Sequence, residues 1–229
     1  MLLISRQINR VVTKCYNTLT WPNSAAMLIQ NEIQKTLNKC GSCNVMLTGG
    51  RSAECLYLAW SALPDFKKLG GVHFYFGDER IVPSTHLESN YGLVMRTLFN
   101  KGIPDGCSIV RMEVEHPNRD EVSMAYEKKL PGKLDILLLS VGEDGHIASL
   151  FPHGEGLNEA SRSIVPVSGP KPPNDRLTIT PIVIARARKV FVLAIGAKKK
   201  DILRRARVAP HNFADLPARL VLGATWLLD

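Results

Sequence analysis

The stretch "LDILLLSVGEDGHIASLFP", residues 134–152, carries the strongest indication of how this chain folds. It opens with a mostly apolar run, Leu134–Val141, of the kind expected of a central strand in a parallel sheet that is covered on both faces. The run gives way to a glycine, and Glu143, Asp144 and His146 follow at once before the chain turns apolar again. The pattern therefore predicts a buried strand that ends in a loop rich in titratable side chains.

Predicted strands and helices alternate on both sides of this segment. Helical apolar spacing and capping signals predict helices at Pro22–Leu37, Ser52–Leu63, Asn90–Phe99, Arg119–Leu130 and Lys198–Arg207. Short apolar runs predict strands at Asn44–Thr48, Val72–Phe76, Leu134–Val141, Arg176–Thr180, Val190–Ile195 and Thr225–Leu228. This alternation predicts an α/β fold, an open and mostly parallel twisted sheet with helices on both faces. We expect residues 1–229 to form a single domain.

The amino-acid composition limits which kinds of partner the protein can have. Hydrophobic residues make up 45% of the 229 residues and charged residues 22%, which suits an ordinary core. No apolar run approaches the roughly 20 residues that a membrane helix needs, so we expect no membrane partner. The formal net charge of +8 favours an anionic partner, which could be nucleic acid, a membrane surface or a phosphorylated metabolite.

Two features near the N-terminus have alternative interpretations. Cys40 and Cys43 form one C-x-x-C, but no second pair follows at zinc spacing, so we expect reduced thiols in a cytoplasmic protein and no metal site. The first twenty residues contain Arg6, Arg10 and Lys14 and no acid, a composition that resembles a mitochondrial presequence. They also fit an opening strand around Ile8–Val12 followed by a loop, and we favour that interpretation.

Three unusual loops follow predicted strands, at the edge of the sheet where ligands of such folds bind. They are "LTGGRS" (47–52), "GDER" (77–80) and "GEDGH" (142–146). Gly49 and Gly50 in the first loop let the backbone approach a ligand, and the helix that follows favours an anion at its N-terminus. Each loop alone is more simply explained as a turn or a solvated segment. Their coincidence at one edge of the sheet predicts a binding site.

These stretches resemble the motifs of the 6-phosphogluconolactonases, within the larger group that includes the glucosamine-phosphate isomerases and deaminases. The motifs occur in order over nearly the whole chain: "LTGGRSAECLY", "FGDERIVPSTHLESNYG", "VGEDGHIASLFP", "KPPNDRLTIT" and "AIGAKKKDIL". Ala53 stands where the family commonly has proline, and Ile147 where it commonly has threonine. Roughly the first twenty residues carry no motif. The resemblance implies a Rossmann-like fold of the sugar-phosphate isomerase and deaminase type.

The resemblance implies hydrolysis of 6-phospho-D-glucono-1,5-lactone to 6-phosphogluconate, in the oxidative branch of the pentose phosphate pathway. A strained cyclic ester is already electrophilic, so we expect neither a cofactor nor a metal. His146 is the expected general base. Arg80 would stabilise the oxyanion or fix the sugar, and Asp78 would hold Arg80 or the attacking water. Glu143 is expected to form the turn. The residues expected around the substrate and its phosphate are Gly49, Gly50, Arg51, Asn90, Asp144, Arg176 and Lys199.

Two other functions fit the sequence less well than lactone hydrolysis does. Aminosugar-phosphate deaminases share "DGHIA" but continue into Phe-Asn-Glu-Pro, and this chain has Phe151 where that glutamate would stand. They also tend to have tyrosine where this chain has Arg80, so both positions favour hydrolysis. A basic stretch, residues 186–207, allows nucleic-acid binding, but it lacks interleaved aromatic residues apart from Phe191. We expect a small phosphorylated sugar lactone as partner, no nucleic acid, and a monomer or weak dimer.

Overall fold

A computed structural model describes residues 11–209 and 211–229 and contains two β-sheets. The larger sheet has seven parallel strands in the order β1-β10-β9-β6-β2-β3-β5, and the smaller has three antiparallel strands in the order β4-β8-β7. The strands are β1 Val12–Cys15, β2 Cys43–Leu47, β3 Val72–Phe76, β4 Asp78–Arg80, β5 Ser108–Ile109, β6 Ile136–Ser140, β7 Ile164–Ser168, β8 Asp175–Ile179, β9 Lys189–Leu193 and β10 Thr225–Leu228.

Six α-helices surround the sheets in the described ranges. They are α1 Trp21–Cys40, α2 Arg51–Ser61, α3 Asn90–Thr97, α4 Arg119–Lys129, α5 Pro181–Arg186 and α6 Ala197–Ala206. Short 3₁₀ helices span Phe66–Lys68, Glu155–Asn158 and Pro217–Val221. Helix α1 ends at Gly41, whose positive φ of 74° lets its N–H donate to Leu37 O. In the described ranges, no helix combines the length and the apolarity that crossing a bilayer requires.

The central strand β6 confirms the prediction from the apolar run. Its side chains alternate between two hydrophobic clusters, with Ile136 and Leu138 in one and Leu137 and Leu139 in the other. The first cluster includes residues of α1, α2 and α3, whereas the second includes residues of α4, α5 and α6. All four β6 side chains are fully buried, and each contributes roughly 1.5–3 kcal/mol of hydrophobic stabilisation. Burial on both faces explains why the strand does not alternate apolar and polar residues.

The smaller sheet departs from the sequence prediction. "GDER" was expected to be a loop, but Asp78–Arg80 forms β4 and pairs with β8 in an antiparallel register. The predicted strand at Arg176–Thr180 exists as Asp175–Ile179, but it belongs to this sheet. Strand β7 was not predicted because Pro166 interrupts its pattern. Most of the N-terminal strand predicted at Ile8–Val12 lies outside the described residues, and the observed strand begins at Val12.

Two buried tyrosines hold the ends of β2 and β3, which are neighbours in the larger sheet. The Tyr57 hydroxyl accepts from Thr48 N at 3.0 Å and donates to Thr48 O at 2.7 Å. The Tyr126 hydroxyl accepts from Phe76 N at 2.7 Å and donates to Phe76 O at 3.0 Å. Burial raises the pKa of both phenols, which therefore stay neutral and keep the proton they donate. Each tyrosine thus fixes the peptide groups from which a site loop departs.

Replacing either tyrosine with phenylalanine tests this role. We expect Tyr57→Phe and Tyr126→Phe each to lower the free energy of unfolding by about 1–3 kcal/mol, because each leaves buried backbone groups without their partner. Tyr16→Phe is the control, since the Tyr16 hydroxyl makes no hydrogen bond in the described part of the chain. Urea denaturation followed by circular dichroism measures the difference. If Tyr57→Phe unfolded at the same urea concentration as the wild-type protein, the hydrogen bonds of the Tyr57 hydroxyl would contribute nothing to stability.

Candidate active site

The three segments predicted as loops, one of which forms β4, begin at the carboxyl edge of the larger sheet. They follow β6, β2 and β3, which lie side by side and parallel, so the prediction that they share one edge is confirmed. Ser140 links two of them by donating from Oγ to Gly49 O at 3.0 Å. A Cβ added to Gly49 would lie 1.8 Å from Asn90 Oδ1, so the first loop passes directly against α3. This close approach explains the glycine at position 49.

The first loop ends at the N-terminus of α2, where two cations lie nearby. Gly50, with a φ of +93°, is the N-cap of α2, and no side chain caps this helix. Lys199 reaches the same point from α6, with its Nζ 3.3 Å from Ser52 Oγ. Burial lowers the pKa of Lys199 and the charge of Arg51 lowers it further, against the opposing effect of Glu143. A helix N-terminus with two cations beside it favours a bound anion.

The N-termini of α3 and α6 already hold carboxylates. The Glu79 carboxylate accepts from Asn90 N at 2.7 Å and Tyr91 N at 2.8 Å, in the first turn of α3. Burial raises the pKa of Glu79, although these hydrogen bonds oppose the shift. At α6, Asp229 Oδ1 accepts from Gly196 N at 2.7 Å. In the described structure no carboxylate accepts from the N-cap or first-turn N–H groups of α2, in contrast to Glu79 at α3 and Asp229 at α6.

His146 and Asp144 form a pair in the loop after β6. His146 Nδ1 lies 2.5 Å from Asp144 Oδ1, which also accepts from His146 N at 3.1 Å. Burial raises the pKa of Asp144, but the hydrogen bond and positive charge of His146 lower it to about 2. Asp144 is therefore ionised at neutral pH and contacts Nδ1 of the ring, which leaves Nε2 as the ring nitrogen that this carboxylate does not use.

Close packing fixes the His146 loop. A Cβ on Gly142 would lie 2.2 Å from the imidazole ring, and a Cβ on Gly145 would lie 2.1 Å from Leu216 Cδ1. Gly145 has a φ of +87°, and its carbonyl accepts from Ala218 N at 2.9 Å. On its other side, the imidazole packs against Phe151, with 4.8 Å between ring centroids. The prediction that Phe151 returns to the core and supports this turn agrees with its burial.

The buried side chain of Asp78 links separate segments of the site through hydrogen bonds. Its Oδ2 accepts from Ser149 Oγ at 2.7 Å, and its Oδ1 and carbonyl oxygen accept from Asn90 Nδ2 at 3.2 and 2.9 Å. The Arg80 guanidinium bonds to Glu88 instead, so the described structure lacks a contact between Asp78 and Arg80, which was one of the two roles expected of Asp78. Sequence reasoning missed Ser149 and Glu79, although both stand inside the motifs. Their importance follows from side-chain directions that the pattern does not reveal.

Arg80 and Arg176 lie opposite each other on β4 and β8. Arg80 Nη1 donates to Glu88 Oε2 at 3.0 Å and to Glu88 O at 2.8 Å. Arg176 donates to the carbonyls of Pro173 and Lys171, and its Cζ lies 5.4 Å from the Phe151 ring centroid. Burial lowers the pKa of Arg176, and the charge of Arg80 lowers it further. The structure therefore places Arg176 beside Arg80, across the pairing of β4 with β8.

Two further features of the described residues bear on the site: metal-ligating side chains and the pairing of the basic stretch. In residues 11–209 and 211–229, no three His, Cys, Asp or Glu side chains are placed to hold a metal ion. Several cations of the basic stretch lie within 4 Å of carboxylates: Lys198 with Glu143, Lys200 with Asp229, Arg204 with Asp201 and Arg188 with Asp135. Part of the basic stretch is thus paired within the chain.

Comparison with known proteins gives consistent matches. A family model described as "Glucosamine-6-phosphate isomerases/6-phosphogluconolactonase" matches residues 20–227. A 6-phosphogluconolactonase from Mycobacterium tuberculosis is 33% identical over 206 residues, covering 82% of this chain and 83% of that protein. A 6-phosphogluconolactonase from Homo sapiens is 38% identical over 168 residues, covering 67% of this chain and 64% of that protein. The crystal structure of a 6-phosphogluconolactonase from Shewanella baltica has the same fold, with a TM-score of 0.85 at 20% identity over 97% of this chain and 99% of that chain.

A glycine substitution tests the contact between the first loop and α3. We expect Gly49→Ala to lower the free energy of unfolding by about 1–3 kcal/mol, because the new methyl group would displace the buried Asn90 side chain from Asp78. Gly132→Ala is the matched control, since its Cβ would meet nothing within 4 Å, and a change within about 0.5 kcal/mol is expected. Equal urea midpoints for the two variants would contradict the close approach.

Proposed function

Because the chain belongs to the family of glucosamine-6-phosphate isomerases and 6-phosphogluconolactonases, we propose that it hydrolyses 6-phospho-D-glucono-1,5-lactone to 6-phosphogluconate. The protein is then a lactone hydrolase of the oxidative branch of the pentose phosphate pathway. The observation that carries this proposal is the imidazole of His146, fixed by Asp144 beside an uncapped helix N-terminus. The proposed base and the proposed anion site therefore stand on neighbouring loops at one edge of the sheet, as a phosphorylated lactone requires.

His146 acts as the general base. Its Nε2 takes a proton from water while the water oxygen attacks C1 of the lactone, and the carbonyl oxygen becomes an oxyanion. When the bond between C1 and the ring oxygen breaks, the imidazolium returns its proton to that oxygen, which becomes a hydroxyl group. One water molecule is consumed, and the new carboxylic acid loses its proton to solvent. Such general acid–base assistance contributes about 10²–10⁴-fold to the rate.

The other residues position the reacting groups. Asp144 fixes the tautomer and orientation of His146 and stabilises the imidazolium. Arg80 stabilises the oxyanion, and Glu88 holds its guanidinium in place. Asp78 acts as a positioning residue, because its carboxylate is used by Asn90 and Ser149.

The phosphate at C6 binds at the N-terminus of α2. Gly49 and Gly50 bring the backbone close, while Arg51 and Lys199 supply positive charge. Backbone N–H groups at a helix N-terminus and charge-assisted hydrogen bonds both suit a phosphate dianion.

The aminosugar-phosphate deaminase function receives less support. Phe151 stands where the deaminases have a glutamate, and its ring packs against His146 instead of supplying a proton. A cytoplasmic location and a monomeric or weakly dimeric state remain predictions from the sequence. Light scattering after size-exclusion chromatography measures the oligomeric state.

A direct assay tests the proposed function. Glucose 6-phosphate is oxidised in situ, and the decay of the lactone is followed by NMR with and without the protein. We expect decay well above the spontaneous rate. Glucosamine 6-phosphate is supplied in parallel, and release of ammonia without lactone hydrolysis would favour the deaminase function.

Replacement of the base should slow the chemical step. We expect His146→Ala to lower kcat by about 10²–10⁴-fold, because no group then takes the proton from water. Circular dichroism should show an unchanged fold, since the imidazole is partly exposed at the site. Near-normal turnover by a folded His146→Ala protein would remove His146 from the mechanism.

Removal of the lysine should act on phosphate recognition. We expect Lys199→Ala to raise KM by about tenfold or more and to reduce the preference for the phosphorylated lactone over gluconolactone, because a charge-assisted contact is lost. Lys198→Ala is the control, since its side chain is 76% exposed and pairs with Glu143. If both variants behave alike, the phosphate is attracted by a diffuse positive surface and not by Lys199.

A further inference from the structure

Residues 211–218, which we call the brace, lie against the loop that carries His146. The Leu216 side chain is 1% exposed, and a Cβ added to Gly145 would lie 2.1 Å from Leu216 Cδ1. Ala218 N donates to the carbonyl oxygen of Gly145 at 2.9 Å. Gly145 has a φ of +87° and directly precedes His146, so the brace contacts the backbone immediately before the imidazole.

The brace also contacts the chain a few residues beyond the imidazole. His153 N donates to Ala214 O at 2.9 Å, and His153 Nε2 lies 3.3 Å from Asp215 Oδ1. The side chains of His153 and Asp215 are both exposed, so their charges contribute little and the backbone hydrogen bond is the stronger contact. The brace thus holds residues 145–153 at both ends, and a shift of the brace would move the base between them.

Arg219, which directly follows the brace, joins it to the chain just beyond α6. Its Nη1 donates to Asn212 O, and its Nη2 donates to Val208 O at 3.0 Å. A guanidinium fixes the relative positions of two acceptors, because its donors form a rigid planar fork. Asn212 Oδ1 accepts from Asp215 N at 3.4 Å, and Asn212 Nδ2 donates to the Asp215 carboxylate. The hydrogen bonds of Arg219 therefore extend, through Asn212, to the residues that contact His153.

We propose that Arg219 is a positioning residue for the base: it holds the brace, and the brace holds the loop of His146. This assignment rests on the proposed function, in which the imidazole must face the attacking water. The guanidinium bonds to backbone carbonyls outside the groups proposed to react or to bind substrate, so it acts through the brace. A displacement of about 1 Å at a catalytic group can cost roughly 10²-fold in rate.

The proposed phosphate site lies at a distance from the brace. Lys199 is in the first turn of α6, whereas the brace follows the end of this helix at Ala206. A helix of ten residues is about 15 Å long, so Lys199 stands far from the part of the chain that Arg219 holds. Loss of the Arg219 hydrogen bonds should therefore lower kcat more than it changes KM.

Arginine-to-methionine variants at two positions separate positioning from stability. Arg188 is the matched control, because it donates to Thr36 Oγ1 at 2.5 Å and its Nε lies 3.5 Å from Asp135 Oδ1, so its loss also destabilises the fold. It directly precedes β9 and lies at the amino edge of the larger sheet, opposite the site. We expect Arg219→Met to lower kcat by about tenfold or more with KM within about threefold, and Arg188→Met to keep both within about twofold of wild type.

A double variant tests whether Arg219 acts through the brace. Leu216→Ala removes the contact with Gly145 and should also lower kcat. Because both changes act on one element, Arg219→Met combined with Leu216→Ala should have a kcat within about twofold of the lower single variant. Multiplication of the two effects would contradict the proposal. Should Arg219→Met fail to fold, a kcat of Leu216→Ala within about twofold of wild type would show that the brace does not position the base.

NMR spectroscopy follows the imidazole without any reaction. The ring signals of His146, assigned by their loss in His146→Ala, should shift in Arg219→Met and stay in place in Arg188→Met. Unchanged His146 signals in a folded Arg219→Met protein, or equal kcat values for the two methionine variants, would overturn the proposal. Failure of the wild-type protein to hydrolyse the lactone would instead reject the proposed function and leave the NMR result standing, so the two failures are distinguishable.

Discussion

The carboxylate of Asp78 is the group on which the geometry of the site depends. It is 5% exposed and accepts hydrogen bonds from Ser149 in the loop after β6 and from Asn90 at the start of α3. Asn90 in turn lies against Gly49, so one buried group aligns all three strand ends. A buried charge with satisfied hydrogen bonds tolerates little displacement, because each lost partner leaves an uncompensated group in a medium of low polarity.

The charges of the site are arranged by the helices as well as by the side chains. Glu79 and Asp229 place carboxylates at the N-termini of α3 and α6, whereas α2 keeps its N-terminus open toward Lys199. The chain thus supplies its own anions at two of these helix ends, and the end of α2 is the proposed site of the phosphate. Part of the protein's positive charge therefore lies at the open end of α2, a location that the net charge of +8 does not reveal.

Sequence patterns predicted most of the larger sheet, because burial on both faces leaves a clear signature in β6, but they missed β5, a strand of two residues. They failed for β4, whose three charged residues form a strand only through pairing with β8, a partner nearly a hundred positions away. They also missed Ser149, since its direction depends on Ala148 with a φ of 48°, an unusual value for a residue with a side chain. The grouping of Arg176 with Arg80 follows from the same unpredicted pairing.

Tyr57 and Tyr126 mark the boundary between the sheet, which forms the framework, and the loops, which carry the site. Each tyrosine stands on a helix, and its hydroxyl group binds the peptide at the end of a strand. The position at which the sheet ends is therefore fixed. Residues beyond that boundary can diverge without disturbing the frame, as loops on a rigid scaffold commonly do. Because loops can change independently of the sheet, one family can include both isomerases and lactonases. New reactions then need altered loops and not a new sheet.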